Sequence, residues 1–188
     1  MSIPAVGVDL GGTKIAAGLV DRDGTLLSTD EVPTPREVDR IPQAVATLVE
    51  RLSGGGATAG VGIGAAGFVD VDRAIVRFAP NIDWRDEPLA DRVADLVGAP
   101  VVIENDANAA AWGEFRFGAG AEVDDLLFIT LGTGVGGGCV QAGALLRGAH
   151  GMGAEVGHLR VVPEGEICGC GQRGCLEQYG SGTALVRE

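Results

Sequence analysis

Two short segments constrain this chain more than any others: Asp9-Leu10-Gly11-Gly12-Thr13 near its start and Thr130-Leu131-Gly132-Thr133-Gly134 well beyond its middle. Each is a Gly-Thr turn between two strand-like runs. Val6 to Leu10 and Ile15 to Val20 flank the first, and Leu126 to Leu131 and Val135 to Val140 flank the second. The same device used twice is a weak internal repeat, and it predicts two units that begin alike. At 188 residues the chain is long for one domain and short for two full ones.

Between the two devices the hydrophobic period changes. From Val38 to Leu52 the apolar residues recur every three or four positions, until Gly54-Gly55-Gly56 stops the pattern, so a helix is expected there. Val61 to Gly67 reads as a small-residue strand and Val69 to Phe78 as a hairpin. Leu89, Val93, Leu96 and Val97 mark a second helix ended at Gly98. Ala99 to Ile103 reads as a buried strand that delivers Glu104-Asn105-Asp106 to a third helix, Ala107 to about Phe117. Strands mixed with helices in this order predict an α/β class.

The first turn, Gly11-Gly12-Thr13-Lys14, is not a Walker loop, because the required Gly-x4-Gly-Lys-Ser/Thr spacing is missing and a strand follows. Two readings stay open for it. It is a plain hairpin turn, or its glycines let backbone N–H groups converge on an anion while Thr13 adds a hydroxyl and Lys14 a charge. Asp9 beside it can orient Mg²⁺, usually through water. Asp106 also has two readings. At a strand-to-helix junction it is an N-cap, or it is a general base that takes a hydroxyl proton as that oxygen attacks a phosphoryl group. Asn105 next to it can hold the same substrate.

A third cluster lies near the end, where Glu155-Val156-Gly157-His158 is followed by Cys168-Gly169-Cys170-Gly171-Gln172-Arg173-Gly174-Cys175-Leu176-Glu177. Three thiols and one imidazole complete a tetrahedral zinc site at His158, Cys168, Cys170 and Cys175. Disulfides fit less well, because thiols two apart in Cys-Gly-Cys pair poorly and no signal peptide suggests export to an oxidising compartment. A cytoplasmic location is therefore expected. Cys139 lies in an apolar run and is expected in the core. A structural zinc would hold Glu155, His158 and Glu177 in fixed directions.

Composition narrows the partners. With 14 Lys plus Arg against 26 Asp plus Glu, the formal net charge is −12, and no basic patch is present to attract nucleic acid. Aromatic residues are only 4%, too few for stacking platforms along a single strand. No apolar run reaches the length of a membrane span, so no membrane partner is expected.

Together these residues resemble the ROK family of sugar kinases and repressors, within the actin-like ATPase superfamily, and most closely its bacterial glucokinases. The motifs that carry the resemblance are Asp9 to Lys14, Pro80-Asn81-Ile82-Asp83-Trp84, Glu104 to Asn108, Leu131 to Gly134, Glu155 to His158 and Cys168 to Glu177. The resemblance implies an actin-like, ribonuclease H-like lobe at residues 1–118, with a mixed sheet and flanking helices. An incomplete second lobe with a zinc-binding loop is implied at 119–188. It implies ATP-dependent phosphorylation of glucose at O6, with ATP, Mg²⁺ and Zn²⁺ as cofactors. Asp106 would be the base, and Asn81, Asn105, Glu155, His158 and Glu177 would hold sugar hydroxyls. Asp9, Gly11, Gly12, Thr13, Lys14, Thr133 and Gly134 would face ATP.

Other members of the family take N-acetylglucosamine, N-acetylmannosamine or another hexose. A sugar-responsive repressor is the rival reading, but the resemblance places a DNA-binding domain before the first strand in such proteins, and here that strand starts within a few residues of Met1. A noncatalytic zinc-stapled module is the third reading. Family members are considerably longer than this chain. Residues 1–188 are accordingly expected to be a fragment with little kinase activity, drawn from an intact protein that is a homo-oligomer.

Overall fold

A computed structural model describes residues 3–187, and its contacts divide the chain between Asp106 and Ala107 into two compact units. In the first unit, β1 (Ala5–Leu10), β2 (Lys14–Val20), β3 (Leu26–Pro33), β4 (Val61–Ala65) and β8 (Val101–Asn105) form one sheet in the order β3-β2-β1-β4-β8. β1, β4 and β8 run parallel, whereas β2 and β3 are antiparallel additions, so the sheet is mixed, as expected. Alternation sets its inner face. Val6, Val8 and Leu10 of β1 and Val61, Ile63 and Ala65 of β4 are all buried, while the residues between them point the other way.

The covering helices are α1 (Ile41–Ser53) and α2 (Leu89–Val97). Ile41, Val45, Leu48 and Val49 of α1 share one stripe, and with Leu89, Ala90 and Val93 of α2 they join the strand residues in a single core. Gly54 and Gly98, at φ 59° and 65°, close the two helices in the left-handed conformation that residues with a side chain avoid. The stop signals of the sequence thus act as read. Leu96, read as part of the apolar face of α2, is instead exposed.

A small second sheet, β5 (Phe68–Val69), β6 (Val76–Phe78) and β7 (Arg85–Glu87), contains the expected hairpin plus one strand that the sequence did not announce. Between β6 and β7 lies the Pro80–Trp84 loop, fastened by Trp84 in the core.

α3 (Asp106–Phe117) opens at the last residue of the first unit and runs into the second. In that unit β9 (Leu126–Leu131), β10 (Val135–Gln141) and β11 (Ala144–Leu145) form a sheet in the order β11-β10-β9. α3 packs on β10: a Cβ at Gly136 would lie 3.0 Å from the Ala107 Cβ, and one at Gly138 would collide with Ala111. Cys139, expected in the core, is only half-buried, since β10 turns its glycines rather than its thiol toward α3. After a long irregular stretch come α4 (Glu177–Gly180) and α5 (Gly182–Arg187), the latter at the helix start expected from Ser181 onward. Among the described residues no helix is long and apolar enough to cross a membrane.

Two glycine substitutions should therefore diverge. Gly138→Ala pushes a methyl group into Ala111 and is expected to destabilise by about 1–3 kcal/mol, whereas Gly7→Ala enters open space on β1. At about 2–4 °C per kcal/mol for a chain of this size, the thermal midpoints of the two variants should separate clearly, and equal midpoints would contradict the packing of α3 on β10.

Candidate functional site

The first unit gathers its candidate residues at the carboxyl ends of its parallel strands, the place where open α/β sheets bind ligands. β1 ends at Leu10, β4 at Ala65 and β8 at Asn105, and the register sets Leu10 beside Ala65 and Ala65 beside Asn105. Asp9 and Asp106 therefore lie near one rim. Partial burial first, and the charge of Asp106 second, push the Asp9 carboxyl above its usual range, with Lys14 pulling the other way. Two carboxylates that repel one another suit a divalent cation. Asp106 is exposed as the first residue of α3.

Asn105 is held from two sides. Its Nδ2 donates to the Gly67 carbonyl at 3.2 Å and its backbone N–H to the Glu104 carboxylate at 3.2 Å. Glu104 is itself buried and lies 3.6 Å from the Arg73 guanidinium, a structural role in keeping with its position inside the sheet. Asn81 is exposed and sits on the first turn: a Cβ at Gly12 would come within 2.9 Å of the Asn81 Cβ. Gly12 is thus needed where the Pro80–Trp84 loop crosses the turn.

The turn itself is tied back by Thr34, which sequence reasoning missed. Thr34 Oγ1 donates to the Gly11 carbonyl at 2.7 Å and its N–H to the Thr13 carbonyl at 2.9 Å, and Gly11 N–H closes the turn onto Lys14. In a trans peptide the N–H points opposite to the C=O, so the Gly12 and Lys14 N–H groups face away from Thr34. Lys14 Nζ is engaged by Glu31 at 2.8 Å, both groups being exposed. Such an exposed pair is screened by solvent, so the ammonium can leave it for a phosphate at little cost.

The second unit repeats the device. Gly182 N–H donates to the Gly132 carbonyl at 2.7 Å, and Thr183 Oγ1 to the Thr133 carbonyl at 2.7 Å. By the same peptide geometry the Thr133 and Gly134 N–H groups turn outward, two successive donors of the kind that bind anions. Thr183 plays here the part of Thr34, and neither has a local signal in the sequence. A cavity of about 620 Å³ opens beside this turn, lined by Gly132, Thr133, Gly182, Thr183, Val186 and Arg187.

The Cys/His residues converge in the same unit. The ligand atoms of His158, Cys168, Cys170 and Cys175 all lie within 4.8 Å of one another. Cys170 and Cys175 Sγ are 3.7 Å apart, far beyond a disulfide bond, and Cys168 Sγ is 3.6 Å from His158 Nδ1. A tetrahedral zinc with bonds of about 2.3 Å to sulfur would set its sulfurs roughly 3.8 Å apart, close to the Cys170–Cys175 separation, so the cluster is of a size to hold such an ion. Burial first, then hydrogen bonds with the neighbouring Cys170 and Cys168 thiols, push the Cys175 thiol up to about 12.

The loop is built for this. Glycines 171 and 174 take φ of 89° and 76° between the cysteines, Leu176 N–H bonds the Leu159 carbonyl, and the Tyr179 hydroxyl accepts from Glu166 N–H at 2.8 Å. His158 Nε2 lies 4.0 Å from the Glu155 carboxylate, on the side of the ring away from the thiols. Glu177 directs one oxygen to the Val135 N–H at 3.1 Å.

Comparison with known proteins follows the motifs. The sequence profile of the ROK family matches residues 5–188. A glucokinase from Streptomyces coelicolor is 57% identical over 97% of this chain, and a glucokinase from Thermotoga maritima is 47% identical over 97%. The crystal structure of a ROK family glucokinase from Streptomyces griseus, in complex with glucose and AMPPNP, superposes with a TM-score of 0.88 at 60% identity over 98% of this chain. The chain spans 57% and 58% of the lengths of the two curated relatives and 59% of the solved chain.

Proposed function

The chain belongs to the ROK family, and from that premise we propose that it carries residues of a sugar kinase that transfers the γ-phosphoryl group of ATP to O6 of glucose. The observation that supports this most is the rim of the first sheet, where Asp106 is exposed at the end of a parallel strand beside Asn105 and within electrostatic reach of Asp9. The solved relative bound to glucose and AMPPNP supports the choice of both substrates.

In this reading Asp106 accepts the O6 proton as that oxygen attacks the γ-phosphorus, and the bond from phosphorus to the bridging oxygen of ADP breaks. Asn105, already fixed by Gly67 and Glu104, offers an amide to a sugar hydroxyl, and Asn81 offers a second. Glu155, His158 and Glu177 supply acceptors and a ring nitrogen for the remaining hydroxyls, a donor set that matches a polyol. The outward N–H groups of the two Gly-Thr turns receive phosphate oxygens, joined by Thr13 and by Lys14 once it leaves Glu31. Asp9 would hold Mg²⁺, which when bound neutralises charge on the phosphates. His158, Cys168, Cys170 and Cys175 would hold zinc, whose contribution is to stiffen the loop carrying Glu155 and Glu177.

The test is ADP release by this chain extended to the length of its relatives, with glucose, N-acetylglucosamine and N-acetylmannosamine, alongside calorimetric binding of each sugar. The reading expects glucose-dependent ADP release and tighter binding of glucose than of either N-acetyl sugar. Glucose binding without any sugar-dependent ADP release would favour a sensor over a kinase, and an N-acetyl preference would move the substrate.

A further inference from the structure

The segment after the zinc loop does more than follow it. α4 begins at Glu177, two residues beyond the ligand Cys175, and the next dozen residues make three separate attachments to the Gly132-Thr133-Gly134 turn. Glu177 Oε2 accepts from the Val135 N–H at 3.1 Å, just past the turn. Gly182 N–H holds the Gly132 carbonyl at 2.7 Å. Thr183 holds the Thr133 carbonyl through its hydroxyl at 2.7 Å. The fit is close: a side chain at Gly134 would collide with the Glu177 carboxylate.

The other end of this segment is set by the metal ligands. Cys175 is bridged to Arg160, and Leu176 N–H bonds the Leu159 carbonyl at 2.8 Å, so the residues that follow His158 and Cys175 in sequence lie side by side. Glu177 Oε1 lies 3.9 Å from Cys168 Sγ. One carboxylate therefore touches a metal ligand with one oxygen and the turn with the other. Among the described contacts of Glu177, both oxygens have protein neighbours, so its part in the site is not only to meet a sugar.

We propose that Glu177 is a positioning residue that couples occupancy of the metal site of His158 and its three cysteines to the conformation of the Gly132-Thr133-Gly134 turn. With metal bound, His158, Cys168, Cys170 and Cys175 are fixed, α4 starts in one place, and Glu177 pins Val135. Gly182 and Thr183 then seat the two carbonyls that turn the Thr133 and Gly134 N–H groups outward. Without metal the start of α4 is free to shift, and the turn loses all three attachments together. Coupling of this kind is reciprocal, so an anion ordered by the turn should also slow metal loss. The consequence for nucleotide binding rests on the phosphate role proposed above for this turn; the coupling itself does not.

Amide hydrogen exchange on the protein loaded with zinc tests it. Chelation is expected to speed exchange at Val135, Gly182 and Thr183 by about tenfold or more, while the rest of the β9–β10 ladder, from Gly136 on, keeps its protection. Faster exchange confined to the Cys168–Cys175 loop, with these three amides unchanged, would overturn the proposal. If chelation instead unprotects β9 and β10 as well, the zinc-loaded variants decide. Glu177→Ala should speed exchange at Gly182 and Thr183, which its side chain does not touch, and Glu177→Gln, which keeps an acceptor for Val135, should restore protection. Unchanged Gly182 and Thr183 amides in Glu177→Ala would overturn the coupling. AMPPNP affinity, measured on the same samples, separates the two ideas: coupled amides with an AMPPNP affinity indifferent to zinc would leave the coupling standing and remove the phosphate role of the turn.

Discussion

Asp106→Asn is expected to lower glucose phosphorylation by about 10²–10⁴-fold while leaving glucose affinity and thermal stability nearly unchanged. The amide has the shape of the carboxylate and keeps an oxygen acceptor at the start of α3, so whatever the residue contributes to beginning the helix is retained. What it lacks is basicity. Two small electrostatic effects oppose one another in the stability balance. A negative charge is lost from a helix N-terminus, where it contributes about 0.3–1 kcal/mol, but a like charge is also removed from beside Asp9.

The sign of the second effect can be checked. The folded Asp9 carboxyl is raised above its ordinary 3.8, so it favours the fold below that pH and opposes it as pH rises through the folded value. At neutral pH Asp106→Asn removes part of that opposition, although burial, the larger cause, stays. Turnover, calorimetric glucose binding and thermal melting of both proteins, each extended to the length of the relatives and all at neutral pH, make the comparison. Near-normal turnover would reduce Asp106 to a helix-start residue.

Much of the first unit was legible because its signals are local. The strand before Gly11, the three- and four-residue stripe of α1, and the glycine stops at Gly54 and Gly98 each lie within one element and depend on no distant partner. β3 was announced only by the Asp23-Gly24 turn before it, which reads as a hairpin turn; its own residues Leu26–Pro33 form the outermost strand and expose most side chains, leaving no alternation to read. β7 is three residues long and carries no apolar pattern at all. β8 runs on to Asn105, past the apolar run, because pairing with Gly64 and Ala65 extends it where hydrophobicity would have ended it.

The site divides in the same way. The convergence of His158, Cys168, Cys170 and Cys175 was readable from residue type and spacing alone, since three thiols and an imidazole in one short stretch have few other uses. Thr34, Thr183 and the Val135 contact of Glu177 were not readable, because each is a hydrogen bond across 23, 50 or 42 positions to a backbone group, which any residue supplies. Lys14 has a partner that the sequence did not show. Its position in the turn pointed to an anion, but its ammonium pairs with Glu31 diagonally across β2 and β3, where Lys14 lies opposite Pro33 and Glu31 opposite Ala16, and that pairing is invisible until the register is known.

The second large effect is expected from Cys175→Ala, which should abolish stoichiometric zinc, whereas Cys139→Ala should keep one zinc per chain. Cys175 is fully buried and Cys139 is a half-buried thiol outside the cluster, so the pair separates loss of a ligand from loss of any cysteine. Removing one of four ligands leaves an open position in a site whose ligand atoms lie within 4.8 Å of one another. Zinc in such sites contributes on the order of 10 kcal/mol to local folding, and a loop rich in glycine and poor in buried side chains has little else to hold it. Of residues 161–174 only Cys168 and Gly174 are buried, so the loop cannot rely on a core of its own. Metal analysis of protein purified without chelator, together with proteolysis of the 161–174 stretch, should show zinc and protection in the parent chain and in Cys139→Ala. Both should be lost in Cys175→Ala. Full zinc content in Cys175→Ala would mean that the metal is held elsewhere, and protection of the loop without zinc would mean that hydrogen bonds such as Cys168 N–H to the Gln172 carbonyl suffice to fold it.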